Sequence, residues 1–393
     1  MRDVYLVSAV RTAITAFGGS FKDVMPSDLA THVLNAAVER AGIQKEQVDE
    51  VLLGHCIQRT DEPNTARTAL LKAGFPNTVT GYTIQRQCGS GLQAIISGMQ
   101  QIQVGDADII VAGGVEVFSN APYILKQNRW GQRMQHSTVY DAVWEILADP
   151  ISGEMMGNTA ENLAEKYSIT REEQDQLAFE SHQKALAALE SGRFEREIIP
   201  VTVKAGRGKT VEVTRDEHPR ADISVDGLAK LRATFKSEGG TVTAGNASGI
   251  NDGAAAVVIM SGEKVQELGL KPLAKIVGSA VAGVEPELMG YGPVPAVKKL
   301  LAKTGLSVAD IDVWEINEAF AAQYLAVEKL LDLDRSKVNL NGSGISLGHP
   351  VGATGTRITT TLVHELHHRG LKRGIATLCI GGGLGLALML ERV

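Results

Sequence analysis

The chain has 393 residues, 44% of them apolar and 21% charged, with a formal net charge of −6 at pH 7. That length buries a large core and predicts two or three domains, while the acidic balance argues against nucleic acid as the main partner. Three cysteines (Cys56, Cys88, Cys379) form no disulfide framework, and no apolar run approaches the ~20 residues of a membrane span. The first residues read as a strand rather than a signal peptide, so a reducing, cytoplasmic setting is expected.

In chain order, a helix is predicted over Ala30–Ala41, stopped by Gly42 and followed by a strand over Val48–Leu53. A second helix starts at Cys88, with Leu92, Ile95, Ile96, Met99 and Ile102 on its apolar face and Gly105 as its stop; a buried strand over Asp108–Gly114 follows. Residues 120–248 break the alternation. They hold a helix over Glu172–Ser191 and a charged stretch from Arg207 to Arg220, and they read as an inserted domain. A buried strand over Ala254–Met260 resumes the pattern.

The second half then repeats the first. A helix over Pro295–Thr304 ends at Gly305, and Asp312 follows Gly305 at the spacing by which Asp49 follows Gly42. A helix after His349 runs to about Gly370, and Gly374–Gly382 reads as the matching strand. Strands and helices in alternation predict mostly parallel sheets covered by helices, and the repeat predicts two related α/β halves with chemistry where they meet. The units are residues 1–119 completed by 249–270, the insert 120–248, and 271–393.

Four short motifs carry the candidate chemistry. Cys88-Gly89-Ser90-Gly91 puts a thiol at a helix start, where free amides and the helix dipole favour a thiolate; the glycines would let a bulky ligand approach. Read alone, Cys88 fits a buried inert cysteine equally well. His349 lies between Gly348 and Pro350. Cys379 ends an apolar run before three glycines, and Asn317 precedes Glu318-Ala319-Phe320, a place where an asparagine commonly caps a helix.

Together these motifs resemble the thiolase family across essentially the whole chain. The resemblance implies a thiolase fold, with two α/β halves of mixed sheets packed in layers plus an inserted loop domain. It implies an acyltransferase that condenses two acetyl-CoA to acetoacetyl-CoA and CoA, or runs the reverse thiolysis, with CoA thioesters as substrates and no cofactor or metal. Cys88 would be the acylated nucleophile, His349 its base, Cys379 the acid/base at the substrate α-carbon, and Asn317 the holder of a water at the enolate oxygen. The amides of Cys88 and Gly381 would form the oxyanion hole. Arg220 would meet the CoA phosphates and Ser248 the pantetheine arm; Phe235, Ala244, Ala319, Phe320 and Met156 would line the tunnel and acyl pocket.

The chain departs from the family pattern at Met155, where members dedicated to acetoacetyl-CoA usually carry histidine, so a broader-chain 3-ketoacyl-CoA thiolase is the alternative. The segment Ala121–Met156 resembles a tetramerising loop, which implies a homotetramer built from dimers. A non-catalytic acyl-CoA-binding protein and a decarboxylating ketoacyl synthase share the fold; the presence of both cysteines argues against each.

Two further motifs compete. His364-Glu365-Leu366-His367-His368 fits the zinc-protease pattern, but His364 and His368 fall opposite the apolar face of Ile358, Leu362, Val363 and Leu366 and are expected in water. Gly344-Ile345-Ser346-Leu347-Gly348 fits a hydrolase elbow, yet the residues before it are too turn-rich for the strand that the elbow needs.

Overall fold

The structure, a computed structural model, describes residues 1–206 and 208–393; Arg207, which opens the predicted charged stretch, lies outside them. The strands that position the site are β1 (Val4–Arg11), β2 (Glu50–Gly54), β3 (Thr80–Ile84), β4 (Ile109–Val117), β5 (Asn251–Ser261), β6 (Ala274–Gly283), β7 (Val313–Ile316), β8 (Arg373–Ile380) and β9 (Leu384–Arg392). The helices are α1 (Pro26–Ala41), α2 (Ser90–Val104), α3 (Met156–Tyr167), α4 (Arg171–Glu190), α5 (Pro293–Thr304), α6 (Ala321–Leu331) and α7 (Val351–His368).

The N-terminal half has the strand order β1-β5-β4-β2-β3 and the C-terminal half β6-β9-β8-β7. The two sheets join where Tyr5 pairs with Lys275 and Leu6 with Ala274. Strand senses agree as well: β5 and β9 run antiparallel to both neighbours, while β2 beside β4 and β7 beside β8 are parallel. The sheets are therefore mixed, as the family resemblance implies, and not mostly parallel. The β8–β9 pair is antiparallel because β8 turns straight back at Gly381–Gly383, where Gly382 and Gly383 take the left-handed backbone (φ +82° and +81°) that such a turn needs.

The equal spacing of Gly42–Asp49 and Gly305–Asp312 has a physical basis. Gly42 and Gly305 end α1 and α5 in the same left-handed conformation, φ 70° and 71°. Asp49 Oδ2 then accepts from the amides of Asp108 (2.7 Å) and Ile109 (2.9 Å), and Asp312 Oδ2 from those of Lys372 (2.9 Å) and Arg373 (2.8 Å). Each aspartate pins the start of the next strand in its half.

α2 and α7 pack on one another between the sheets, and α1 and α5 cover the outer faces. Leu92, Ile95 and Met99 of α2 share one apolar cluster with Ile358, Leu362 and Leu366 of α7 and with strand residues of both halves. Lying between two sheets, α7 is buried almost all round, so the expected wet face is absent along most of its length. His364 is half-buried and donates to the Ala9 carbonyl (3.0 Å), while His368 is exposed. Ser346 sits in the one-turn helix Gly344–Leu347 with its hydroxyl buried against Ser181 (2.8 Å).

In the insert, α4 starts at a reciprocal cap between Thr170 and Glu173. The insert is tied to the N-terminal half by Arg11. This fully buried guanidinium donates to Asp216 (2.7 and 3.0 Å) and Glu197 (2.6 Å), which together compensate its charge. Among the described residues, no helix is long and apolar enough to cross a membrane.

Candidate active site

Cys88 lies in the turn from β3 to α2, two residues ahead of the first helical residue rather than on the helix itself. Gln87 before it has a φ of +44°, unusual for a non-glycine residue. Its carbonyl accepts from the Ser90 hydroxyl (2.6 Å), the Ser90 amide (3.0 Å) and the Cys56 thiol (3.1 Å), which holds the elbow in that conformation. The glycines serve the fold more directly than a ligand. A Cβ on Gly89 would come within 2.5 Å of Ile380, and one on Gly91 within 2.8 Å of Thr356 Oγ1 and 2.9 Å of the Gly352 carbonyl. They let α2 press against β8 and α7, and so bring Cys88 to the second half.

Burial pushes the Cys88 thiol up to about 11, while the amides of Gly381 and of Cys88 itself favour the thiolate. Desolvation outweighs the helix start, contrary to the sequence expectation, and the resting thiol keeps its proton at neutral pH. Cys379, fully buried near the end of β8, is also raised well above the ordinary thiol value, by burial and by the neighbouring Cys88. Its cluster holds Ala319 and Met289, with Met156 and Phe320 packed against them.

His349 is buried just before α7. Its amide donates to Asn251 Oδ1 (2.9 Å), its Nδ1 lies 2.6 Å from Thr354 Oγ1, and its Nε2 lies 3.5 Å from Asn317 Nδ2. The Thr354 hydroxyl gives its own proton to the Pro350 carbonyl (3.0 Å), so toward the ring it accepts. That places the imidazole proton on Nδ1 and leaves the Nε2 lone pair facing the site. Burial pushes the ring down to about 3, and the charge on Arg357 acts in the same direction, so the imidazole is neutral at physiological pH. Asn317, one residue past β7, is fully buried; its amide extends the pairing with β8 through the Thr377 carbonyl (3.0 Å).

Phe235 stands edge-on to Phe320, centroids 6.3 Å apart, and occupies the space that a Cβ on Gly157 would need. Ser248 donates its amide to the Ala319 carbonyl (2.9 Å), and Met156 opens α3 with its amide on the Leu147 carbonyl (2.8 Å). Met155, half-buried, is the residue before that helix. The structure thus packs Met156, Ala319 and Phe320 with Cys379, and places Phe235 against Phe320 and Ser248 on Ala319. Ala244 is exposed in a turn, and Arg220 is exposed at the rim, its amide on His182 Nδ1 (3.1 Å). Sequence reasoning missed Thr354, Asn251 and Met289. Thr354 carries a faint signal, a hydroxyl in the first turn of the helix after His349; the other two depend on long-range packing.

Two thiols and a neutral imidazole at the junction of duplicated halves define a site for proton-coupled acyl transfer. Residues 4–263 match the thiolase N-terminal domain and residues 270–392 the thiolase C-terminal domain, and the chain belongs to the thiolase family. It is 51% identical over 395 residues to an acetyl-CoA acetyltransferase of Syntrophomonas wolfei, covering 99% of each chain. Among solved structures it resembles the Bacillus anthracis acetyl-CoA acetyltransferase (61% identity, TM-score 0.99, 100% of this chain and 99% of that one). It also resembles human mitochondrial 3-ketoacyl-CoA thiolase (45% identity, TM-score 0.96, with the same coverage).

Proposed function

We propose that this thiolase is an acetyl-CoA acetyltransferase working through an acyl-Cys88 intermediate. The observation that carries the reading is the neutral His349, with Nδ1 held at 2.6 Å by Thr354 and Nε2 3.5 Å from Asn317 Nδ2. In the first half-reaction Cys88 gives its proton to His349 Nε2 and attacks the acetyl-CoA carbonyl carbon. The bond from that carbon to the CoA sulfur breaks, and the CoA thiolate leaves with the proton of Cys379. His349 is then protonated and Cys379 is a thiolate. In the second half-reaction Cys379 takes the α-proton of another acetyl-CoA. The enolate oxygen is held by His349 and by a water on Asn317, and its carbon attacks acyl-Cys88. Acetoacetyl-CoA forms, and the Cys88 thiolate recovers its proton from His349. The amides of Cys88 and Gly381 would hold the acyl-enzyme oxyanion. The cycle moves protons and one acetyl group with no net electron transfer, so it asks for no metal or redox cofactor.

The two acetyl-CoA acetyltransferases named above, 51% and 61% identical against 45% for the 3-ketoacyl-CoA thiolase, favour the two-carbon acyl group despite Met155. Arg220 is proposed at the CoA phosphates, with Ala244 and Ser248 along the pantetheine path. The three sequence units serve as the N-terminal half, the CoA-binding insert and the C-terminal half. The insert exposes Tyr123, Trp130, Met134, Trp144 and Ile151, and β3 leaves one sheet edge unpaired; both fit a cytoplasmic homotetramer built from dimers.

The experiment is CoA-dependent loss of 3-ketoacyl-CoA enolate absorbance, with acetoacetyl-CoA against a long-chain substrate. The short substrate is expected to win, and Cys88→Ala to abolish the reaction. Full thiolysis by that variant would overturn the mechanism; preference for the long chain would overturn the acetyl assignment.

A further inference from the structure

Glu116, the penultimate residue of β4, is fully buried and has no role in the chemistry above. Its carboxylate accepts three backbone amides: Oε2 from Gly352 (2.8 Å) and Cys56 (3.2 Å), and Oε1 from Ile57 (3.2 Å). His55 Nε2 stands 3.4 Å from Oε1, but burial pushes that imidazole down to about 3, so it offers no cation. This burial is costly: it pushes the Glu116 carboxyl up to about 7, although the three amides favour its charged form.

The fold itself does not ask for that cost. The aspartate anchors of the two halves put Ile109 in register with Arg373, so Glu116 falls at the position of Ile380 in β8. At the equivalent point of the duplicate an apolar side chain fills the space.

What differs is what each amide belongs to. Gly352 is the second residue of α7, whose preceding residue, Pro350, supplies no side-chain cap; Glu116 caps this helix from another strand, three residues after His349. Cys56, held by its amide on the other side, gives its thiol to the carbonyl of Gln87, the left-handed residue next to Cys88. One carboxylate therefore links the His349 segment and the Cys88 elbow through a single residue on each side.

We propose that Glu116 is a positioning residue for the thiolase reaction: its carboxylate caps the His349 helix and clamps the turn beneath Cys88, so that both segments keep one spacing through the two half-reactions. This rests on the reading that Cys88 and His349 exchange a proton. Misplacing reacting groups by about 1 Å costs on the order of 100-fold in rate. Glu116→Gln, which presents an NH2 to amide donors, is therefore expected to lower kcat for acetoacetyl-CoA thiolysis by roughly 10- to 100-fold. KM should stay within about twofold, because the residues proposed to hold CoA lie on other elements, and alkylation of Cys88 by iodoacetamide, followed by mass spectrometry, should change rate with it. Glu116→Asp keeps the charge but shortens the reach and is expected to fall between the two. Thermal midpoints of all three proteins are measured alongside. A lower midpoint with unchanged kcat per titratable Cys88 would mean a structural role only and would overturn the proposal. If the glutamine variant does not fold, unchanged kcat per site in Glu116→Asp overturns it equally. Wild-type turnover that survives Cys88→Ala would instead remove the reading beneath it, and that control keeps the two failures apart.

Discussion

Replacing Thr354 with valine keeps the volume of the side chain and removes the one acceptor that faces His349 Nδ1. In the structure that contact is 2.6 Å, and the hydroxyl's own proton is already committed to the Pro350 carbonyl at 3.0 Å. The Nδ1–H of the variant is left in a buried place without a partner, which costs ~1–3 kcal/mol. The ring can escape part of that by moving its proton to Nε2, but then the nitrogen that faces Asn317 and the site has no lone pair to receive the Cys88 proton. Either way the reactive tautomer is disfavoured by that amount, and at about 1.4 kcal/mol per decade kcat is expected to fall by roughly 5- to 100-fold. KM for CoA should hardly move, since no proposed CoA contact is touched. The assay is thiolysis of acetoacetyl-CoA followed through its enolate absorbance, with nitrogen-15 NMR of His349 reporting the tautomer. Thr354→Ser restores the acceptor and should recover most of the rate. A valine variant with kcat within about twofold of wild type, and the proton still on Nδ1, would show that the hydroxyl does not set the tautomer.

Acid stability offers a second test. The folded-state value of His349 is depressed to about 3 from 6.5, so the unfolded chain binds the extra proton first. Its contribution to stability is present above pH 6.5 and is lost as pH falls toward 3, by up to about 5 kcal/mol. His349→Asn should flatten that part of the urea-midpoint profile between pH 6 and 4; an unchanged slope would contradict a neutral buried imidazole. Gly91→Ala places a Cβ 2.9 Å from the Gly352 carbonyl and 3.0 Å from the Thr356 amide, so α2 and α7 must separate. The expected loss is ~1–3 kcal/mol, read as a lower thermal midpoint, and an unaltered midpoint would mean the helices have slack. If the proposed tetramer forms through the exposed loop, charging it with Trp130→Glu and Met134→Glu, at positions 92% and 83% exposed, should leave dimers by light scattering, with stability of the fold unchanged. A tetramer that persists would place the contact elsewhere.

Much of this architecture is written in local signals. The stop glycines Gly42, Gly105 and Gly305 all take left-handed backbone, and the Gly–Asp spacing that revealed the repeat reflects a hydrogen bond made in each half. The candidate residues Cys88, His349, Cys379 and Asn317 stand out through the family resemblance of their motifs; position at the end of an element, beside glycine or a helix start, fits a structural residue as well. What was not legible depends on context across the chain. Helical periodicity put His364 and His368 in water; His368 is exposed, but α7 has a sheet on either side and His364 reaches Ala9. The helix-start argument predicted an acidic Cys88, but it weighs only the dipole; the burial that wins is set by packing from both halves. Glu116 looks like one polar interruption in an apolar strand, and its partners lie 59, 60 and 236 residues away.

The same burial constrains how the reaction runs. At rest the site holds two protonated thiols and a neutral imidazole, each kept uncharged by desolvation. An isolated thiolate there is disfavoured, so a proton that leaves sulfur must find a base within reach in the same step. In the proposed mechanism His349 meets that need through the Nε2 lone pair, which the Thr354 contact at Nδ1 keeps unprotonated. The charge that does develop is passed to the incoming thioester oxygen, where amide dipoles can meet it without a permanent charge that would bind the ground state as well. The duplicated fold draws the two proposed amides from different halves: Cys88, just ahead of α2, belongs to one, and Gly381, in the turn after β8, to the other. A shift of either half against the other therefore disturbs proton transfer and oxyanion binding together. On this view, substitutions that loosen the α2–α7 contact, Gly91→Ala among them, lower kcat by more than their effect on KM.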